Sequence, residues 1–193
     1  MNWPLFAIAC WLLAVLQTGL DPLWTLGGRS SAGVQLLLIV AAFVPLCTSR
    51  LWEAVLAACL AGLLADLLVE PVPGVPLMGP LAIGFAAGAC VIWLFKKSAL
   101  APSVLSLAFA TFMAGLAANA VALVLLHARG IALPMAPAEP VPGLALPHDM
   151  LRRLIGVVVT TAVSLPLGFL LMLSQPLWGM GGKQVERRFG NAE

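Results

Sequence analysis

The sequence predicts an all-α membrane protein with six transmembrane helices, and three observations carry that reading. Of its 193 residues, 62% are hydrophobic and 9% charged, against roughly 45–50% and 25% in ordinary soluble domains. The apolar residues come in runs close to the roughly 20 that a helix needs to cross a bilayer. These runs are continuous, whereas barrel strands alternate apolar and polar positions, and lipid demands that every backbone group be paired inside the element.

The spans are expected at 3–20, 32–47, 51–69, 77–95, 102–126 and 151–174. No Lys or Arg precedes the first, and it is too long for a signal core, so it reads as a retained helix. The second is the shortest. Only Thr48, Ser49 and Arg50 separate it from the third, which predicts a tight helical hairpin. The fourth opens at Gly79-Pro80 and carries Gly84 and Gly88 one turn apart. In the fifth, Ala110, Ala114 and Ala118 form a ridge of small residues, with Asn119 beside it to bond across helices. The sixth places Thr160, Ser164 and Gly168 on one face, and Pro166 should kink or loosen it by freeing a carbonyl.

Between the last two spans, residues 128–150 hold Pro134, Pro137, Pro140, Pro142 and Pro147. An extended, polyproline-like connection is expected there, serving either as a contact surface or as a spacer. Trp3, Trp24, Trp52, Trp93 and Trp178 fall toward span ends, as interfacial anchors do, and Trp11 is the exception. The whole chain reads as one integral membrane domain with a short tail at 175–193.

Orientation follows from basic residues near the span ends. With the amino terminus inside, the cytoplasmic face holds Arg50, Lys96, Lys97, Lys183, Arg187 and Arg188, and the outer face Arg29, Arg129, Arg152 and Arg153. The bias favours both termini in the cytoplasm, although the Arg152-Arg153 pair opposes it.

Several chemistries lack their residues. No nucleophile with a base in reach, no pair of histidines one helical turn apart and no glycine-rich phosphate loop can be read. His127 and His148 are too isolated for a metal site. Cys10, Cys47, Cys59 and Cys90 lie in or beside spans, where they behave as small apolar residues. No enzyme, cofactor or metal is therefore expected. A net charge of +2 without a basic face also argues against a nucleic-acid partner.

The third span holds the most informative residue, Asp66. An acid in an apolar span is costly unless it faces protein, water or a partner. Ala54, Ala58, Gly62, Asp66 and Glu70 recur every four residues, so one helix face is small along its length and acidic at one end. Small residues let another backbone approach closely. Two readings stand at this level. The face packs against a helix, of this chain or of a partner, with Asp66 accepting a hydrogen bond at the rim; or Asp66 ends the helix and reaches water.

The run Gly62-Leu63-Leu64-Ala65-Asp66-Leu67-Leu68, then Pro76-Leu77-Met78-Gly79, then Gly84-Phe85-Ala86-Ala87-Gly88 and the basic stop Lys96-Lys97 resembles the central signature of the bacterial rod shape-determining MreD family. The match is strongest over residues 50–97. Where family members often begin the second span with proline and an acid or amide, this chain has Gly33, Val34 and Gln35.

The resemblance implies a non-enzymatic subunit of the cell-elongation machinery in the bacterial inner membrane, with MreC as its main partner. MreB, RodA and a transpeptidase are implied as further complex members. It also implies a helical fold similar to the substrate-binding (S-component-like) subunits of vitamin transporters. Gly62, Asp66, Glu70, Gly79, Gly84 and Gly88 are then the candidate partner-binding residues. The alternative function is a small-molecule binding subunit of a transporter, with Asp66, Asn119 and aromatic residues lining a pocket.

Overall fold

The computed structural model describes residues 1–24, 34–68, 79–98, 102–132 and 146–179. Its elements are α1 (Trp3–Trp24), α2 (Leu36–Cys47), α3 (Leu51–Leu68), α4 (Pro80–Ser98), α5 (Val104–Ala132), α6 (Leu146–Leu173) and a 3-10 turn, η1 (Gln175–Trp178). The described residues are all-helical. Stretches in α1, α3, α5 and α6 are long and apolar enough to cross a membrane, while the apolar stretches Leu36–Cys47 in α2 and Pro80–Lys96 in α4 are shorter.

Helix α2 lies at the centre. Every one of its residues is buried, and it touches each of the other five helices. At 12 residues it is about 18 Å long, short of a bilayer core of roughly 30 Å. A helix apolar on all sides is expected to be enclosed, and this one is walled by α3, α4, α5 and α6, which pack in sequence order, with α1 laid against α2 and α3. The expected hairpin is present: α2 ends at Cys47 and α3 begins at Leu51.

Two seams hold the wall together, and both depend on missing side chains. In α3, a Cβ on Gly62 would lie 2.6 Å from the Ala82 Cα and the Leu81 carbonyl oxygen of α4. In α4, a Cβ on Gly84 would lie 2.8 Å from the Ala118 carbonyl oxygen of α5, and one on Gly88 would lie 3.0 Å from the Ala114 Cβ. The alanine ridge of α5 and the glycines of α4 are thus the two halves of one antiparallel contact. Such close approach maximises dispersion contact where no hydrophobic drive separates helix from lipid.

Some boundaries differ from expectation. Helix α5 runs on to Ala132 and α6 begins at Leu146, so both ends of the proline-rich connection are helical and not extended. Pro147 is tolerated because it falls in the first turn, where its absent N–H has no intrahelical acceptor to lose. Pro134, Pro137, Pro140 and Pro142 lie outside the described residues. Helix α2 begins at Leu36 and not near 32, and α4 occupies 80–98 in place of 77–95. Trp178 is no interfacial anchor. It is 2% exposed, because η1 folds back over the end of α2 and sets its ring edge-on to Phe43, with centroids 5.2 Å apart.

The seams predict an ordering of glycine substitutions. Gly62→Ala and Gly84→Ala are each expected to destabilise the purified protein by about 1–3 kcal/mol, because backbone must move. Gly19→Ala in α1 meets nothing within 4 Å and should be neutral or stabilising by up to about 1 kcal/mol. Melting curves in one detergent would check the order.

Candidate functional site

Asp66 reaches from the last turns of α3 to the first turn of α4. Its Oδ2 accepts hydrogen bonds from the backbone N–H of Gly79 (2.9 Å) and Ala82 (3.1 Å), and its Oδ1 accepts from the N–H of Leu81 (3.1 Å). The first N–H groups of a helix have no intrahelical partner, and a side-chain oxygen normally supplies one from the cap residue itself. Here the cap position is Gly79, which has no side chain, and the acid comes from the neighbouring helix. The positive end of the α4 dipole favours an acid there. Gly79 has a φ of +119°, a backbone conformation open to glycine and strained for other residues, and Pro80 follows in the first helical position, where its ring is preorganised.

This geometry decides between the two readings of Asp66. It is 7% exposed, so it does not end the helix in water, and its hydrogen-bond partners belong to its own chain. The face expected to be small is likewise enclosed: Ala54, Ala58 and Gly62 are buried with Asp66. Gly62, Gly84 and Gly88 are spent on the seams between α3, α4 and α5, so their bare faces are not presented to another molecule. Glu70 lies outside the described residues. Asp66, Gly62 and Gly79 are brought together at one junction, while Gly84 and Gly88 serve the other seam.

Helix α2 is capped in the same manner at both ends. At its start, the Gln17 side chain of α1 accepts from the Leu36 N–H (3.1 Å), and the Thr160 hydroxyl of α6 accepts from the Gln35 N–H (3.1 Å). Thr160 is seven residues beyond Arg153 along α6, about 10 Å at 1.5 Å per residue, so the start of α2 is sunk well into the bundle. At its other end, the Lys96 ammonium of α4 donates to the carbonyls of Thr48 (2.7 Å) and Pro45 (3.4 Å). A cation is favoured at that negative helix end.

Beside Lys96, the buried Glu53 accepts from the Thr48 hydroxyl (3.2 Å) and from Arg50 (3.3 Å), with the Met1 amino nitrogen 3.8 Å away. The Thr48 hydroxyl in turn takes the Arg50 N–H at 3.4 Å, just before α3 begins. The backbone N–H of Asn2 donates to the Trp178 carbonyl at 3.0 Å. Both ends of the described chain thus close on the α2–α3 hairpin.

On the opposite end of the bundle, Asn119 bonds across helices as expected. Its side-chain amide donates to the Gly115 carbonyl (2.8 Å), and its oxygen accepts from Arg153 of α6 (3.4 Å). Thr160, Ser164 and Gly168 form the buried face expected of α6. Among the described residues no group of three or more His, Cys, Asp or Glu side chains could hold a metal.

Compared with known proteins, the chain matches no family model, no curated protein and no solved structure.

Sequence reasoning missed Gln17, the capping of α2 by Thr160 and the inward role of Lys96. Gln17 carried a usable signal, since an amide alone in an apolar span seeks a partner as an acid does. Lys96 read only as the basic stop of a span, because its long stem allows the head to turn either outward or back onto α2.

The caps yield two expectations. Asp66→Ala leaves backbone donors without acceptors and should destabilise by about 2 kcal/mol or more, with Asp66→Asn falling between it and the natural protein. Lys96→Met keeps the stem but removes the donor, and should cost about 1–2 kcal/mol. Thermal melting read by circular dichroism would measure both.

Proposed function

We propose that this chain is an MreD-like, non-enzymatic scaffold of the bacterial inner membrane, crossing it six times with both termini in the cytoplasm. In this reading it helps organise lateral wall synthesis by holding MreC through helix–helix contact, with MreB, RodA and a transpeptidase in the wider complex. The observation that supports it is the convergence of the residues carrying the resemblance. Gly62, Asp66 and Gly79 meet at the α3–α4 junction, and Gly84 and Gly88 at the adjoining α4–α5 seam, so each has a physical task in one rigid helical layer.

These residues then shape the partner surface without touching the partner. The contact itself falls to the outward face of α3, where Leu56, Leu60, Leu63 and Leu67 are exposed at helical spacing. A transmembrane helix of MreC laid along that ridge would bury leucine against its own side chains.

Depletion in the native cell should round rod-shaped cells, and the tagged chain should retain MreC through purification. Leu60→Ala with Leu63→Ala should cut MreC recovery several-fold while leaving the melting temperature unchanged. Asp66→Ala should lower recovery and stability together. Rods that persist after depletion, with no MreC recovered, would remove the proposal. Retention of a soluble small molecule in place of MreC would favour the transporter subunit.

A further inference from the structure

We propose that the α5–α6 seam at Arg153 and Asn119 binds the phosphate of an anionic phospholipid headgroup. The argument begins with charge. The charged side chains described are Arg50, Glu53, Asp66, Lys96 and Arg153. Arg50 and Glu53 pair with each other, Asp66 takes backbone N–H groups, and Lys96 takes two carbonyls. Arg153 has one hydrogen-bond partner among the described residues, the neutral Asn119 amide oxygen at 3.4 Å. The ion pairs among the described residues both involve Glu53, at the other end of the bundle.

A guanidinium carries five N–H donors in a planar fork suited to phosphate oxygens. Among the described residues one is directed at Asn119, which leaves most of the fork for an anion. Asn119 is itself held, because its amide donates to the Gly115 carbonyl at 2.8 Å, and this turns its oxygen toward α6. One turn deeper, a Cβ on Gly115 would lie 2.9 Å from a Val157 methyl. The two helices therefore run in register, Gly115 beside Val157 and Asn119 beside Arg153, and the guanidinium is pinned at their seam.

Position chooses the ligand. Arg153 opens the apolar stretch Arg153–Leu173, so it marks the level where hydrocarbon meets headgroups, and basic pockets between helices at that level suit lipid phosphates. From there Leu154, Val158 and Leu165 turn outward along α6, giving acyl chains an apolar track that a soluble phosphate would not use. Bidentate pairing with phosphate is among the stronger charge-assisted contacts.

The test is lipid retention by the purified full chain, read by native mass spectrometry after exchange into micelles doped with phosphatidylglycerol or with phosphatidylcholine. The natural chain should retain phosphatidylglycerol about fivefold better. Arg153→Gln should abolish that preference, Arg153→Lys should keep part of it, and Asn119→Ala should weaken it by freeing the guanidinium. Arg50→Gln, at the opposite end, should leave it intact. Equal retention of the two lipids by the natural chain would overturn the proposal without any variant, and so would an unchanged preference in folded Arg153→Gln. Displacement of the lipid by millimolar inorganic phosphate would assign the site to a soluble anion and overturn the lipid reading.

Discussion

The constraint on which the rest depends is the fate of helix ends inside apolar surroundings. A helix leaves N–H groups unpaired at its start and carbonyls unpaired at its finish, and within lipid or a packed bundle water is not there to take them. In this chain the supply comes from neighbouring helices. Asp66 of α3 takes three N–H groups at the start of α4. Gln17 of α1 and Thr160 of α6 serve the start of α2, and Lys96 of α4 its end. Each cap fixes the height of one helix against another, so solving the electrostatic problem also sets the register of the bundle.

Helix α2 makes this arrangement necessary. A helix of 12 residues that is buried on every side cannot carry both of its ends to the membrane surface. Its start stops within the protein, where fixed side chains complete the hydrogen bonds, while its end meets the hairpin turn and the Lys96 ammonium. Neither cap residue nor capped helix is sufficient alone, because each is placed by the other.

The glycine and alanine seams act on a different axis. Caps set helices up and down, while Gly62, Gly84 and Gly88 set how closely they approach. The two devices meet at one place, since the Cβ missing from Gly62 is what allows Ala82 and Leu81 near α3, and those residues supply N–H groups to Asp66 one turn later. The spacing of Gly62 and Asp66 is therefore one piece of geometry, a close approach followed by a clamp. In the scaffold reading, the motif's value to a partner is the rigidity of the leucine face that it holds outward on α3.

Composition and run length determined that the chain is helical, with stretches apolar enough to cross a membrane, because apolar runs of that length have no other stable state in lipid. They also placed the tight turn at Thr48–Arg50 and marked Asp66 as exceptional, since its cost is local to its span. Hydropathy did not place the start of α4, which Gly79 and Pro80 set, or the helical ends of the proline-rich connection, because both turn on backbone conformation. Only the tertiary structure decided whose helix Asp66 serves, which way Lys96 turns, and that Trp178 lies inside. A residue's own sequence neighbourhood fixes the price of burying it, whereas its partner is selected by which distant helix end arrives within about 3 Å, and that proximity is a property of the packed bundle.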